Sequence, residues 1–329
     1  MKIKSTTVFI ALIMFIACSK DNTGNKLQSY NVSNVVLAKS VPINDLGTNT
    51  YMGVVGGLYP AGANDPSGQY ATDLHNACLS IVPIDTFGRI SNLTKAKVVF
   101  LSLGSSTGGN NMKTLKVKTV GNPLTNPKLL LISGNNGYGN GSLNSIQNIN
   151  DPYWAHVTQV IKGNKSSYRQ VQVIYLETDD SVHLFTWPER PITVKNSIEN
   201  CLRVIKQQFA NVKVVYVLGR TKTFGNLKLY NKEPAPYFFG WACKWAIEDQ
   251  INGVPGTEYT GSNAVAPMIT WGFYQWADST PRTTDGFYWV QSSTRDNLHA
   301  SYPWQDTLAT RFQNFLLNDP NASIWYAAH

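Results

Sequence analysis

Ser106 lies within the stretch "KAKVVFLSLGSSTGGNN" (95–111), in which an apolar run stops at Gly104-Ser105-Ser106 and gives way to glycines and asparagines. A serine hydroxyl is a weak nucleophile at neutral pH. It needs a base within hydrogen-bond reach and a third group to orient that base. With five histidines in the chain, the base can be sought by elimination. His329 is the last residue, and His75 and His156 fall in helical patterns where histidine is commonly structural. His183 and His299 remain, each closing a D-x-x-H: Asp180 to His183 and Asp296 to His299. In a turn or extended segment this spacing lets the carboxylate reach the imidazole of its own loop. Two copies of so short a pattern do not choose between themselves, and Ser105 competes with Ser106 as nucleophile. A metal-binding alternative joins Asp179, Asp180 and His183 as two carboxylates and an imidazole, with no further ligands marked elsewhere in the sequence.

The elements that must carry these residues are legible as alternating patterns. Five short apolar runs follow residue 95: "KVVFLSL" (97–103), "KLLLIS" (128–133), "VQVIYLE" (171–177), "VKVVYVLG" (212–219) and "APMITWG" (266–272). Near-continuous apolar runs bounded by turns predict strands buried on both faces of a parallel sheet. Helical periodicity lies between and after them. Trp154, Val157, Val160 and Ile161 share one face, as do Ile198, Leu202, Ile205 and Phe209. Trp241, Trp245, Ile247 and Ile251 form a third set, and Leu308, Phe312, Phe315 and Leu316 a fourth. Alternation of this kind predicts an α/β domain whose active residues gather at the carboxyl ends of the strands. Ser106 follows the first strand there. Arg220, after the fourth, either holds an acidic or hydroxyl-rich substrate or fixes its loop through a salt bridge.

The amino end reads as an address. "MKIKSTTVFIALIMFIACSKDN" has a short basic start, an apolar core too short to span a bilayer, and small residues running into Cys18. This is similar to the bacterial lipoprotein signal, which implies cleavage before Cys18 and a lipid on it. Residues 1–17 are then the signal peptide, 18–34 a polar tether, and 35–329 a single domain. Cleavage removes two lysines and no acid, lowering the net charge from +8 to +6. The remaining basic residues are scattered, with no run to grip a phosphate backbone, so nucleic acid is not an expected partner. Cys78, Cys201 and Cys243 lack metal-type spacing and allow at most one disulfide.

The block "TTDGFYWVQSSTRDNLHASYPWQDTLATRFQNFLLNDPNASIWY" (283–326) resembles the closing block of the SGNH (GDSL-like) hydrolases, where a D-x-x-H segment precedes the last helix. Gly104-Ser105-Ser106 matches the family's first block, with Ser105 where the aspartate of "GDS" would stand. With stretches such as "DPYWAHVTQVI" and "EPAPYFFGWACKWAIEDQI", the resemblance covers residues 44–326 and points to an uncharacterised bacterial branch. It implies a three-layer α/β/α domain with five parallel strands in flavodoxin-like order. It further implies Ser106 as nucleophile, His299 as base and Asp296 as its orienting carboxylate. The order of elements favours the same pair, since a first-strand end and a last loop can meet at one sheet edge. "SGNNGYGNGS" (133–142) matches the family's glycine block, making Gly137 a second oxyanion donor beside the Ser106 N–H and Asn136 its neighbour. The asparagine usual after the third strand is missing; Thr178, Asp179 and Asp180 stand there.

These features predict a cofactor-free serine esterase, lipid-anchored in the bacterial envelope and acting on a small-molecule or glycan ester. The aromatic stretch Trp271–Trp289 suits sugar rings or acyl chains in part, and packing in part. The departures from the family's blocks motivate the alternative, a non-catalytic domain binding a glycan or a partner protein at the same cleft.

Overall fold

Each of the five apolar runs contains one strand: β1 (Val98–Leu103), β2 (Leu129–Ser133), β3 (Val171–Leu176), β4 (Val214–Val217) and β5 (Met268–Trp271). The computed structural model describes residues 37–135, 138–139, 141–182 and 186–329. The sheet is wholly parallel, in the order β2-β1-β3-β4-β5. All six residues of β1 and all six of β3 are buried, which is why neither run alternates. β2 is an edge strand, and Leu129, Leu130 and Ser133 are only half-buried.

Helices cover both faces, as right-handed crossovers between parallel strands require. They are α1 (Gly68–Leu79), α2 (Ser106–Thr119), α3 (Pro152–Gly163), α4 (Glu189–Gln208), α5 (Ala235–Ile251) and α6 (Tyr302–Asn318). α4 packs on α5, and α2 packs on α6. The arrangement is the expected α/β fold of three layers with flavodoxin-like strand order. α3 starts where its sequence says it should: Asp151 accepts the Tyr153 N–H at 2.8 Å, with Pro152 at the first helical position.

The helix that carries Ile198, Leu202 and Ile205 extends back to Glu189. That first turn shows no apolar period because it buries a charged residue beside Pro191: Arg190, fully enclosed, donates to both oxygens of buried Asp180. Cys78, Cys201 and Cys243 are buried free thiols. No helix among the described residues is long and apolar enough to cross a membrane. The signal, the tether and Cys18 lie outside the described residues.

Candidate active site

β1 is followed by Gly104, whose φ of +143° is open to glycine and strained for other residues. A Cβ there would fall 2.4 Å from the Cβ of Glu177, the residue that follows β3. Gly108 faces the same side chain, and a Cβ on it would fall 2.8 Å from Glu177 Oε2. The backbone between these glycines can be accounted for group by group. Gly104 donates to the Tyr153 hydroxyl at 3.0 Å, and its carbonyl accepts from Asn135 Nδ2 at 3.0 Å. The N–H groups of Ser105 and Gly108 both donate to Glu177 Oε2 at 2.8 Å. The Ser105 carbonyl takes the first helical bond, from Gly109 at 3.1 Å. Ser106 and Thr107 open α2, where N–H groups have no partner within the helix, and neither has one among the described residues.

The Ser106 side chain is exposed at the carboxyl edge of the sheet, with its Oγ 2.8 Å from His299 Nε2. His299 Nδ1 lies 2.7 Å from Asp296 Oδ2. A carboxylate can only accept, so Nδ1 carries the proton and Nε2 offers its lone pair to the serine hydroxyl. The D-x-x-H segment closes on itself: Asp296 Oδ1 accepts the N–H groups of Leu298 at 3.1 Å and His299 at 2.6 Å. A bridge between Thr294 and Ala300 and a 2.9 Å bond from Arg295 N–H to the His299 carbonyl pinch its ends. Asn297 takes the left-handed conformation this turn needs, at φ +66°. Partial burial pushes the Asp296 carboxyl up, but the His299 N–H, the imidazole and the Leu298 N–H outweigh it and hold the group below its ordinary value.

Beneath the serine turn lies a buried charged cluster. Arg220 Nη1 is 2.7 Å from Asp179 Oδ2 and 3.4 Å from Glu177 Oε1, and its Nη2 is 3.4 Å from Thr107 Oγ1. Ser105 Oγ turns down into this cluster, 2.8 Å from Asp179 Oδ2 and 3.2 Å from Glu177 Oε2. The two adjacent serines therefore face different partners, Ser106 the imidazole and Ser105 the carboxylates. Of the two roles open to Arg220, its contacts are those of a salt bridge that fixes the turn.

The other expected residues are placed as follows. Asn136, Gly137 and His183 lie outside the described residues. Asn135, beside them, commits both amide hydrogens, to the carbonyls of Gly104 and Tyr138. Asp180 is bound to Arg190 and Asp179 to Arg220, so the two carboxylates weighed for a metal each face a guanidinium instead. Among the described residues no group of three or more His, Cys, Asp or Glu is placed to hold a metal ion. Most of the aromatic stretch is core: Trp271, Phe273, Tyr274, Trp276, Phe287 and Trp289 are buried, and Tyr288 alone is exposed.

Glu177 is not legible as a site residue from its own place in the sequence, because an acid at the end of an apolar run reads as the run's boundary. The signal was there in the spacing of Gly104 and Gly108, two positions emptied for one side chain. No family model matches the chain and no curated protein matches it, so the geometry itself is the ground for a functional reading.

Proposed function

We propose that the chain is a serine esterase of the SGNH type, hydrolysing a carboxylic ester without a cofactor. The observation that carries this reading is the pair of contacts Ser106 Oγ to His299 Nε2, 2.8 Å, and His299 Nδ1 to Asp296 Oδ2, 2.7 Å. Ser106 attacks the acyl carbonyl as His299 Nε2 takes its proton, and Asp296 holds the tautomer and stabilises the imidazolium. The oxygen of the tetrahedral intermediate meets the N–H groups of Ser106 and Thr107 at the positive end of α2. Collapse breaks the ester C–O bond, and the leaving alcohol receives the proton from His299. Water, deprotonated by the same imidazole, then releases the acid from the acyl-enzyme.

A lipid on Cys18 would hold the enzyme in a bacterial cell envelope. A small-molecule or glycan ester, such as an acetylated carbohydrate, fits a nucleophile that is exposed at the surface. The test is labelling with a fluorophosphonate, which reacts with an activated serine. The parent chain should label stoichiometrically and Ser106→Ala should not. A folded parent that stays unlabelled would instead favour the non-catalytic binding domain.

A further inference from the structure

Glu177 is fully buried, where a carboxylate is costly, and it shares a single guanidinium with Asp179. Two acids against one cation would leave an unbalanced charge inside the protein whenever both are ionised, a poor choice if stability alone mattered. Desolvation first, then Asp179, push its carboxyl up to about 7 against the opposing pull of Arg220 and the two N–H groups.

What the side chain touches explains its place. Its Oε2 accepts the N–H groups of Ser105 and Gly108, at 2.8 Å each, and these two residues straddle Ser106 and Thr107. A helix-capping side chain would ordinarily take such donors. Ser105 stands at the capping position of α2 but makes no capping bond, its hydroxyl being turned to Asp179. Glu177 supplies the cap from a neighbouring strand, and Gly104 and Gly108 leave it the room.

We propose that Glu177 is a positioning residue for Ser106. By taking the flanking N–H groups it fixes the first turn of α2, so that the Ser106 hydroxyl meets His299 and the Ser106 and Thr107 N–H groups stay open to the oxyanion. Arg220 holds Glu177 and Thr107 from the far side, and Asp179 anchors Ser105. Glu177 itself never touches the reacting atoms. The inference rests on the esterase reading above.

Two substitutions test it, with 4-nitrophenyl acetate as substrate and fluorophosphonate labelling of the parent as control. Glu177→Leu keeps the volume and removes the acceptor, while Asp179 and Arg220 remain as a balanced pair. It should lower kcat about 100-fold with KM within about threefold, and shift the unfolding midpoint by less than about 5 °C. Glu177→Gln keeps one oxygen, which must serve either the two N–H groups or Arg220, and should lower kcat about 10-fold with KM unchanged. The graded order parent, Gln, Leu in kcat at flat KM is a pattern that a merely structural residue would not produce. If both variants keep kcat within threefold of a labelled parent, the proposal is overturned and the esterase reading stands. If the Leu variant does not fold, the Gln variant decides by the same threshold. A folded but unlabelled parent overturns both.

Discussion

His299 and Asp296 are joined twice within one turn, through the imidazole Nδ1 to Oδ2 at 2.7 Å and through the His299 backbone N–H to Oδ1 at 2.6 Å. One carboxylate thus sets both the path of the loop and the orientation of the ring it carries. Because Asp296 is about half exposed at 47%, its hold on the ring depends on this geometry rather than on a dry environment.

Asp296→Asn separates those two duties. The amide oxygen can keep the backbone bonds, but the amide nitrogen then faces Nδ1 and favours the wrong tautomer. We expect kcat for an aryl ester to fall about 10²- to 10⁴-fold with an unchanged unfolding midpoint. A loss below threefold would mean that Asp296 only shapes the loop.

Ser105→Ala removes a hydroxyl that bonds to Asp179 and leaves the Ser105 N–H on Glu177. The cost to stability should be about 1–3 kcal/mol, as for a hydrogen bond to a charged group. Activity should fall less than about tenfold, against complete loss in Ser106→Ala. Comparable losses in the two variants, measured on the same ester, would make Ser105 a second participant.

Acidity should act on stability in a definite direction. Burial raises the carboxyls of Glu177, Glu199 and Glu233 from 4.5 to about 7. Glu177 faces Asp179 and Arg220, with the buried Tyr153 and Tyr175 hydroxyls nearby. In each glutamate the folded chain holds a proton that the unfolded chain has released, so the contribution is full below pH 4.5 and lost as pH rises through about 7. Asp296 works the other way, but only as pH falls below its ordinary 3.8. The unfolding midpoint should therefore drop between pH 5 and pH 8, and drop less in Glu177→Gln. A midpoint that rises across that window in the parent would contradict the assignment.

The buried pair Asp180–Arg190 should be intolerant of losing either member. Asp180→Ala leaves a guanidinium with no exposure and no counter-charge, at a cost of about 3–5 kcal/mol. Urea unfolding measures it directly, and a loss under about 1 kcal/mol would show that water reaches the site.

Cys18→Ser tests the envelope anchor. In a bacterial host the variant should leave the membrane fraction, and metabolic labelling with a palmitate analogue should be lost. Unchanged partitioning would sink the lipoprotein reading.

The parallel sheet and its layering follow from local pattern, whereas the strand order is a property of the folded sheet. Apolar runs such as Val98–Leu103 and Val171–Leu176 are continuous because both sheet faces are covered, and helical periodicity between the strands forces parallel crossovers. The D-x-x-H spacing likewise carries its own turn, since Asp296 and His299 bond through neighbouring backbone. Nothing local distinguishes Ser105 from Ser106, or shows that Glu177 belongs to the serine turn. Those matters are decided by partners 193, 74 and 72 residues away: His299 for Ser106, Asp179 for Ser105, and Glu177 for the Ser105 backbone. Side-chain chemistry names what each group can bond to, but only the packed sheet edge decides which of those groups come within 3 Å of one another.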